Sequence, residues 1–308
     1  MPVATQWRTA TEQIPVSGGE LSVARLSTAV SPTAPPVLAL HGITGNALAW
    51  LPLAQLLTGR LTLWAPDLRG RAASRHTLPS HGLTSHADDV VATMDHLGID
   101  RAVLVGHSMG ASVGTLVAAR HPERVAGLLM VDGGLTSPLP AGTDVDAFQR
   151  LVLGPAIERL SMTFAGLAEY LAWWSIHPGL GPSLLGPYRH FVQAYLAADL
   201  VRDGAAYRSS CNREAVHADG ASMVTDEEVL SAPWTSLAAG VPMHLLWAPR
   251  GALNQPLGPF GAARPTWFQL PDGLSAERVE ANHYSVIFEP TAARRVAHRV
   301  LETAGLAR

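Results

Sequence analysis

The sequence of 308 residues predicts an α/β protein: a mainly parallel sheet covered by helices on both faces and interrupted by one helical insertion. Three observations carry that reading. Short apolar runs alternate with helical patterns over the first 134 residues. A turn, Gly106-His107-Ser108-Met109-Gly110, joins one of those runs to a helical pattern, and strand-like runs resume at Met243 after about a hundred residues of helical, aromatic-rich sequence.

Residues 21–26, 36–40, 61–65, 102–105 and 125–131 read as strands, and the continuously apolar ones suit strands buried on both faces. Between them, residues 49–57, 86–97 and 110–120 read as helices, which suits right-handed crossovers between parallel strands. Residues 135–233 lack strand alternation and read as a helical cap, leaving 1–134 and 234–308 as two parts of one core domain. Met243–Trp247 and residues 278–281 return the chain to the sheet, and Pro290–Thr303 closes it as a helix. The Pro/Gly clusters at 31–36 and 178–187 read as loops.

Composition narrows the partners. With 22 basic and 25 acidic residues, a net charge of −3 and no run of like charge, neither nucleic acid nor an anionic membrane is an expected partner. No stretch approaches the roughly 20 apolar residues of a membrane-spanning helix. Residues 1–14 carry Arg8 and Glu12 and no apolar centre, so no secretory signal is visible. Cys211 is the single cysteine; it forms no intrachain disulfide, which permits a reducing, cytoplasmic location and excludes a cysteine-based metal site. The reading requires no cofactor and no metal. The oligomeric state is not set by the sequence, and a homodimer stays open.

The chemistry centres on Ser108. In a G-x-S-x-G turn between strand and helix the serine sits in a strained backbone, its hydroxyl lifted clear of the sheet beside backbone N–H groups. A hydroxyl needs a base, and of 13 histidines His283 is placed best, following the last strand-like run and preceding an apolar helix. His107, next to the nucleophile, more naturally supports the turn. Asp132, ending the run at 125–131, is the expected acid. The loop after Met243–Trp247 offers Asn254, which lacks a charge, and Asp272 reads as a turn residue. Backbone N–H groups of Met109 and Ile43 are the expected oxyanion donors, with Gly42 beside the substrate. In the cap, Trp173, Trp174, Tyr188 and Phe191 are expected to line a pocket for a bulky apolar ligand.

With His41-Gly42-Ile43-Thr44-Gly45, Asp67-Leu68-Arg69-Gly70-Arg71, the Ser108 turn and Asn282-His283-Tyr284 in this order, the chain resembles the α/β-hydrolase family. The resemblance implies a cofactor-free serine hydrolase of esters or lactones working through an acyl-enzyme, with Asp67 and Arg69 structural. Serine at the turn argues against the epoxide hydrolases and dehalogenases, which carry aspartate there. An acid after the strand that follows the turn is shared by the zearalenone hydrolases, so the resemblance implies a resorcylic macrolactone as one substrate. Carbon–carbon bond hydrolysis, cofactor-free haloperoxidase chemistry and a ligand-receptor role use the same machinery.

Overall fold

A computed structural model describes residues 10–140, 142–256 and 270–307. Eight strands form one sheet in the order β1-β2-β4-β3-β5-β6-β9-β10: β1 (Ala10–Val16), β2 (Gly19–Ser27), β3 (Val37–Leu40), β4 (Leu63–Pro66), β5 (Ala102–His107), β6 (Val125–Val131), β9 (Met243–Trp247) and β10 (Ser275–Arg278). The pairs β1–β2 and β2–β4 are antiparallel and all others parallel. The central strands β3 and β5 are buried along their whole length, as their unbroken apolar sequence requires.

Helices cover both faces. On one side lie α2 (Leu83–His96), α3 (Met109–Arg120) and α9 (Glu227–Ala238), on the other α1 (Leu51–Leu57) and the closing helix Pro290–Thr303. Helix α9 packs on α3, where Ser236 Oγ donates to Thr115 O at 2.8 Å. Its residues therefore share the core's helical layer, although 227–233 precede the boundary at 234 expected from the sequence. Between β6 and α9 the chain forms α4 (Val145–Leu153), α5 (Pro155–Glu158), α6 (Leu167–Ser175), α7 (Arg189–Asp199), a hairpin β7 (Leu200–Asp203) and β8 (Ala206–Ser209), and α8 (Arg213–Thr225).

The strand reading differs from the structure at three places. The last strand is β10, not 278–281; it is an edge strand with its side chains largely exposed, so the apolar signal falls on Val279 beyond its end. Strand β1 buries only Ile14 fully and gives no alternation to read. The β7–β8 hairpin, turning at Gly204, interrupts a segment expected to be purely helical. Of the N-terminal segment 1–14, residues 1–9 lie outside the described residues.

The sheet presents the carboxyl ends of β3, β5, β6 and β9 on one edge. There the start of α3 presses against the end of β3: a Cβ on Gly110 would lie 2.1 Å from Leu40 O, and one on Gly106 would lie 2.3 Å from Gly110 O. Backbone meets backbone at these positions and no side chain can rotate away. Gly110→Ala is therefore expected to lower unfolding free energy by more than about 2 kcal/mol in urea titrations. Gly166→Ala, whose added Cβ meets nothing within 4 Å, should stay within about 0.5 kcal/mol.

Candidate active site

Ser108 stands between β5 and α3 with φ 54 and ψ −119, a conformation L-residues rarely adopt. The turn is held from below, since Ser108 N–H donates to Val131 O at 3.0 Å and Ala111 N–H to Ser108 O at 3.0 Å. Its side chain is half-buried and reaches two cavities at the sheet edge, of about 110 Å³ and about 30 Å³, both of which His283 also lines.

Asp132 follows β6 with φ 47 and is buried. Its N–H donates to Leu246 O at 2.7 Å, so its backbone is pinned by the neighbouring strand β9. One carboxylate oxygen accepts from Ala248 N–H at 3.0 Å; the other is 2.7 Å from His283 Nδ1. Because a carboxylate only accepts, this contact puts the proton on Nδ1 and leaves Nε2 with a lone pair for the cavity.

The loop carrying His283 is fixed on both sides. Asn282 Oδ1 accepts from Tyr284 N–H and Ser285 N–H at 2.9 and 2.8 Å, and its amide donates to Gly179 O and Asn254 Oδ1. His107 Nε2 donates to His283 O at 2.8 Å, and the two rings lie 4.6 Å apart. Burial, with the His283 ring beside it, pushes the His107 pKa well below its ordinary value, so His107 supports the loop as a neutral ring. Asn254 meets Arg250 and Asn282 and not His283. Asp272 is exposed in the turn closed by Leu274 N–H to Pro271 O.

Opposite Ser108 lies the loop after β3. Gly42 approaches closely, its hypothetical Cβ 3.2 Å from His107 Nδ1 and 3.4 Å from Ser108 Cβ. Among the described residues neither Ile43 N–H nor Met109 N–H donates to an acceptor, and Ser108 Oγ and His283 Nε2 are not hydrogen-bonded to each other. Asp67 braces the loop by accepting from Ala47 N–H at 2.8 Å and Ala73 N–H at 3.3 Å, a structural task.

The four cap aromatics are placed elsewhere than expected. Trp174 and Phe191 are fully buried in the hydrophobic core, Trp173 and Tyr188 pack half-buried against it, and none lines the larger cavity. Trp173 and Trp174 stack edge to face at 5.1 Å, because one cluster with Phe164, Tyr170, His177 and Tyr284 wraps α6 on two sides. The cap residues at the larger cavity are Thr136, ahead of α4, with Phe148, Gln149 and Val152 of α4, and Gly220, Met223 and Val224 of α8. The amphipathic pattern of α4, capped by Asp144, was the available signal for its three residues, and α8 offers no comparable pattern.

Residues 35–166 match the family model for the alpha/beta hydrolase fold. RutD of Caulobacter vibrioides, proposed as a carbamate hydrolase, is 40% identical over 98 residues, 32% of this chain and 36% of that protein. A 2-(acetamidomethylene)succinate hydrolase of Mesorhizobium japonicum is 35% identical over 98 residues, 32% of this chain and 35% of that protein. The chain thus spans about a third of the length of these curated relatives. A crystal structure of E-2-(acetamidomethylene)succinate hydrolase superposes with TM-score 0.75 at 19% identity, over 95% of this chain and 99% of that one. This chain has the α/β-hydrolase fold. No group of metal-ligating side chains occurs among the described residues, and none of their helices is long and apolar enough to cross a membrane.

The site carries an acid-sensitive element. His41 uses both nitrogens, Nδ1 with Gly42 O at 2.8 Å and Nε2 accepting from Leu68 N–H at 2.9 Å, which suits only the neutral ring. Burial lowers its pKa from 6.5 to about 4. Between those values the unfolded chain binds a proton that the folded one refuses, so stability falls as pH falls, by about 3 kcal/mol across the window. Denaturation of wild type and His41→Gln at several pH values from 7 to 4.5 should show a shallower acid slope in the variant; equal slopes would contradict the assignment.

Proposed function

We propose that this chain is a cofactor-free serine hydrolase of carboxylic esters or lactones. The observation that carries the reading is the Asp132–His283 contact beside Ser108, at a cavity that Ser108, Asp132, His283 and Ile43 line together. In this reading substrate binding draws Ser108 Oγ within reach of His283 Nε2, as such contacts tighten in working complexes. Ser108 attacks the carbonyl carbon and His283 takes its proton, while Asp132 stabilises the imidazolium and holds its tautomer. Negative charge on the carbonyl oxygen meets the N–H groups of Ile43 and Met109. His283 returns the proton to the leaving alcohol, and water then cleaves the acyl-enzyme by the same steps in reverse.

The cavity argues for an uncharged, apolar substrate. Besides Asp132 and His283, no ionisable side chain lines it among the described residues, and Phe148, Val152, Met223 and Val224 give it an apolar wall. A dicarboxylate of the kind named for the succinate hydrolase would find no cation there. A resorcylic macrolactone such as zearalenone is the finer form of the proposal and rests on the position of Asp132. Carbon–carbon bond hydrolysis is the alternative on the same machinery.

Asp132→Asn should lower kcat on a p-nitrophenyl ester by about 10⁴, and Ser108→Ala should abolish the acyl-enzyme route. Asn254→Ala and Asp272→Asn should stay within tenfold of wild type, and Asp132→Asn within tenfold would overturn the triad. On a series of p-nitrophenyl esters, kcat/KM should rise up to about fourfold per methylene from acetate to butyrate. Val152→Trp should flatten that rise while sparing acetate.

A further inference from the structure

Three consecutive carbonyls of the loop opposite Ser108 are each held by a different donor. Gly42 O accepts from Gly45 N–H at 2.9 Å and from His41 Nδ1 at 2.8 Å. Ile43 O accepts from Arg71 Nε at 2.9 Å, and Thr44 O from Arg159 Nη2 at 3.0 Å. A trans peptide points its N–H opposite its C=O, so tying back Gly42 O turns Ile43 N–H the other way. Fixing the next two carbonyls stops the loop from rotating about that peptide.

The two guanidinium groups are themselves anchored by carboxylates from the cap. Arg71 pairs with Asp219 of α8, which also meets His86 Nε2 at 2.9 Å and accepts from Ser80 Oγ at 2.5 Å. Arg159 lies 3.3 Å from Asp199 at the end of α7, over the Trp174 ring, and Asp199 also accepts from Tyr170, Ser209 and Ser210 hydroxyls. All four charged side chains are almost fully excluded from solvent. Burial works against the charge of Arg159 and of Asp219; yet Asp199 keeps the Arg159 guanidinium firmly protonated, and His86 and Arg71 hold Asp219 well below the usual carboxylate range.

Resting on the serine-hydrolase reading, we infer that Arg71 and Arg159 are positioning residues that hold Ile43 N–H in its oxyanion-binding orientation, with Asp219 and Asp199 of the cap holding them. Neither arginine touches the substrate. The cap thereby contributes to the reaction through two buried charge pairs as well as through the apolar wall. A buried pair used only for stability would be replaceable by neutral groups of similar volume at little cost in rate.

Arg69 and Asp89 supply the control: a buried pair at 2.6 Å whose guanidinium contacts Ser17 O and Pro79 O, away from the loop. Arg159→Met/Asp199→Asn and Arg69→Met/Asp89→Asn are compared with wild type by ester kinetics and by inhibition with an aryl boronic acid, whose tetrahedral adduct occupies the oxyanion position. The first variant should lose at least about thirtyfold in kcat with KM within threefold, and its boronate Ki should rise in parallel. The control should keep both constants within threefold, whatever it loses in thermal stability. A partly unfolded preparation lowers the apparent kcat but leaves Ki unchanged, so an unchanged Ki overturns the inference. If the first variant does not fold, Arg159→Lys is measured instead; its ammonium keeps the charge but not the planar fork that sets Nη1 on Ala156 O and thereby aims Nη2 between Asp199 and Thr44 O. A tenfold rise in boronate Ki supports the inference, and a rise under threefold overturns it. Wild type that neither turns over ester nor binds the boronate overturns the hydrolase reading itself, a result distinguishable from either variant outcome.

Discussion

The backbone contact between the start of α3 and the end of β3 is the constraint from which the site follows. Gly110 lets Leu40 O come closer than any Cβ allows, and Gly133 plays the matching part against Ser108, where a Cβ would lie 2.3 Å from its carbonyl oxygen. These approaches force Ser108 into its positive-φ conformation at the sheet edge. The same edge collects Asp132 from β6 and, across β9, the loop carrying His283. Strain at one residue is thus supported by close packing on both sides of it.

Charge is distributed with the same economy. Asp132 has one oxygen on Ala248 N–H and the other on His283 Nδ1, so its direction is fixed by the strand edge before any substrate arrives. His107 and His41 are kept neutral by burial, and His41 spends both ring nitrogens, His107 its Nε2, on backbone near the site. Preorganisation of this kind avoids reorienting dipoles during a reaction.

The sequence made the core legible where pattern and position agree. Apolar runs marked the buried strands, and glycines around Ser108 marked the turn. Asp132 could be chosen over Asn254 because only one of them carries a charge at a strand end. The failures have physical causes. Strand β10 is exposed, so hydrophobicity pointed past it, and β1 has one fully buried residue to announce it. Aromatic residues of α6 and α7 suggested a ligand pocket, but the largest side chains are also the most effective core fillers. Helices α4 and α8, with one phenylalanine and one methionine at the cavity, drew no attention from composition. The partners of Arg71 and Arg159, Asp219 and Asp199, are far away along the chain and leave no local pattern at all.

The most direct test of a nucleophilic Ser108 activated by His283 is covalent. Wild type and His283→Ala are treated with an alkyl fluorophosphonate and followed by intact-protein and peptide mass spectrometry. The account predicts one adduct per chain on the peptide containing Ser108, forming in wild type and slowed by orders of magnitude in His283→Ala. An adduct on another residue, or equal labelling rates in the two proteins, would contradict it.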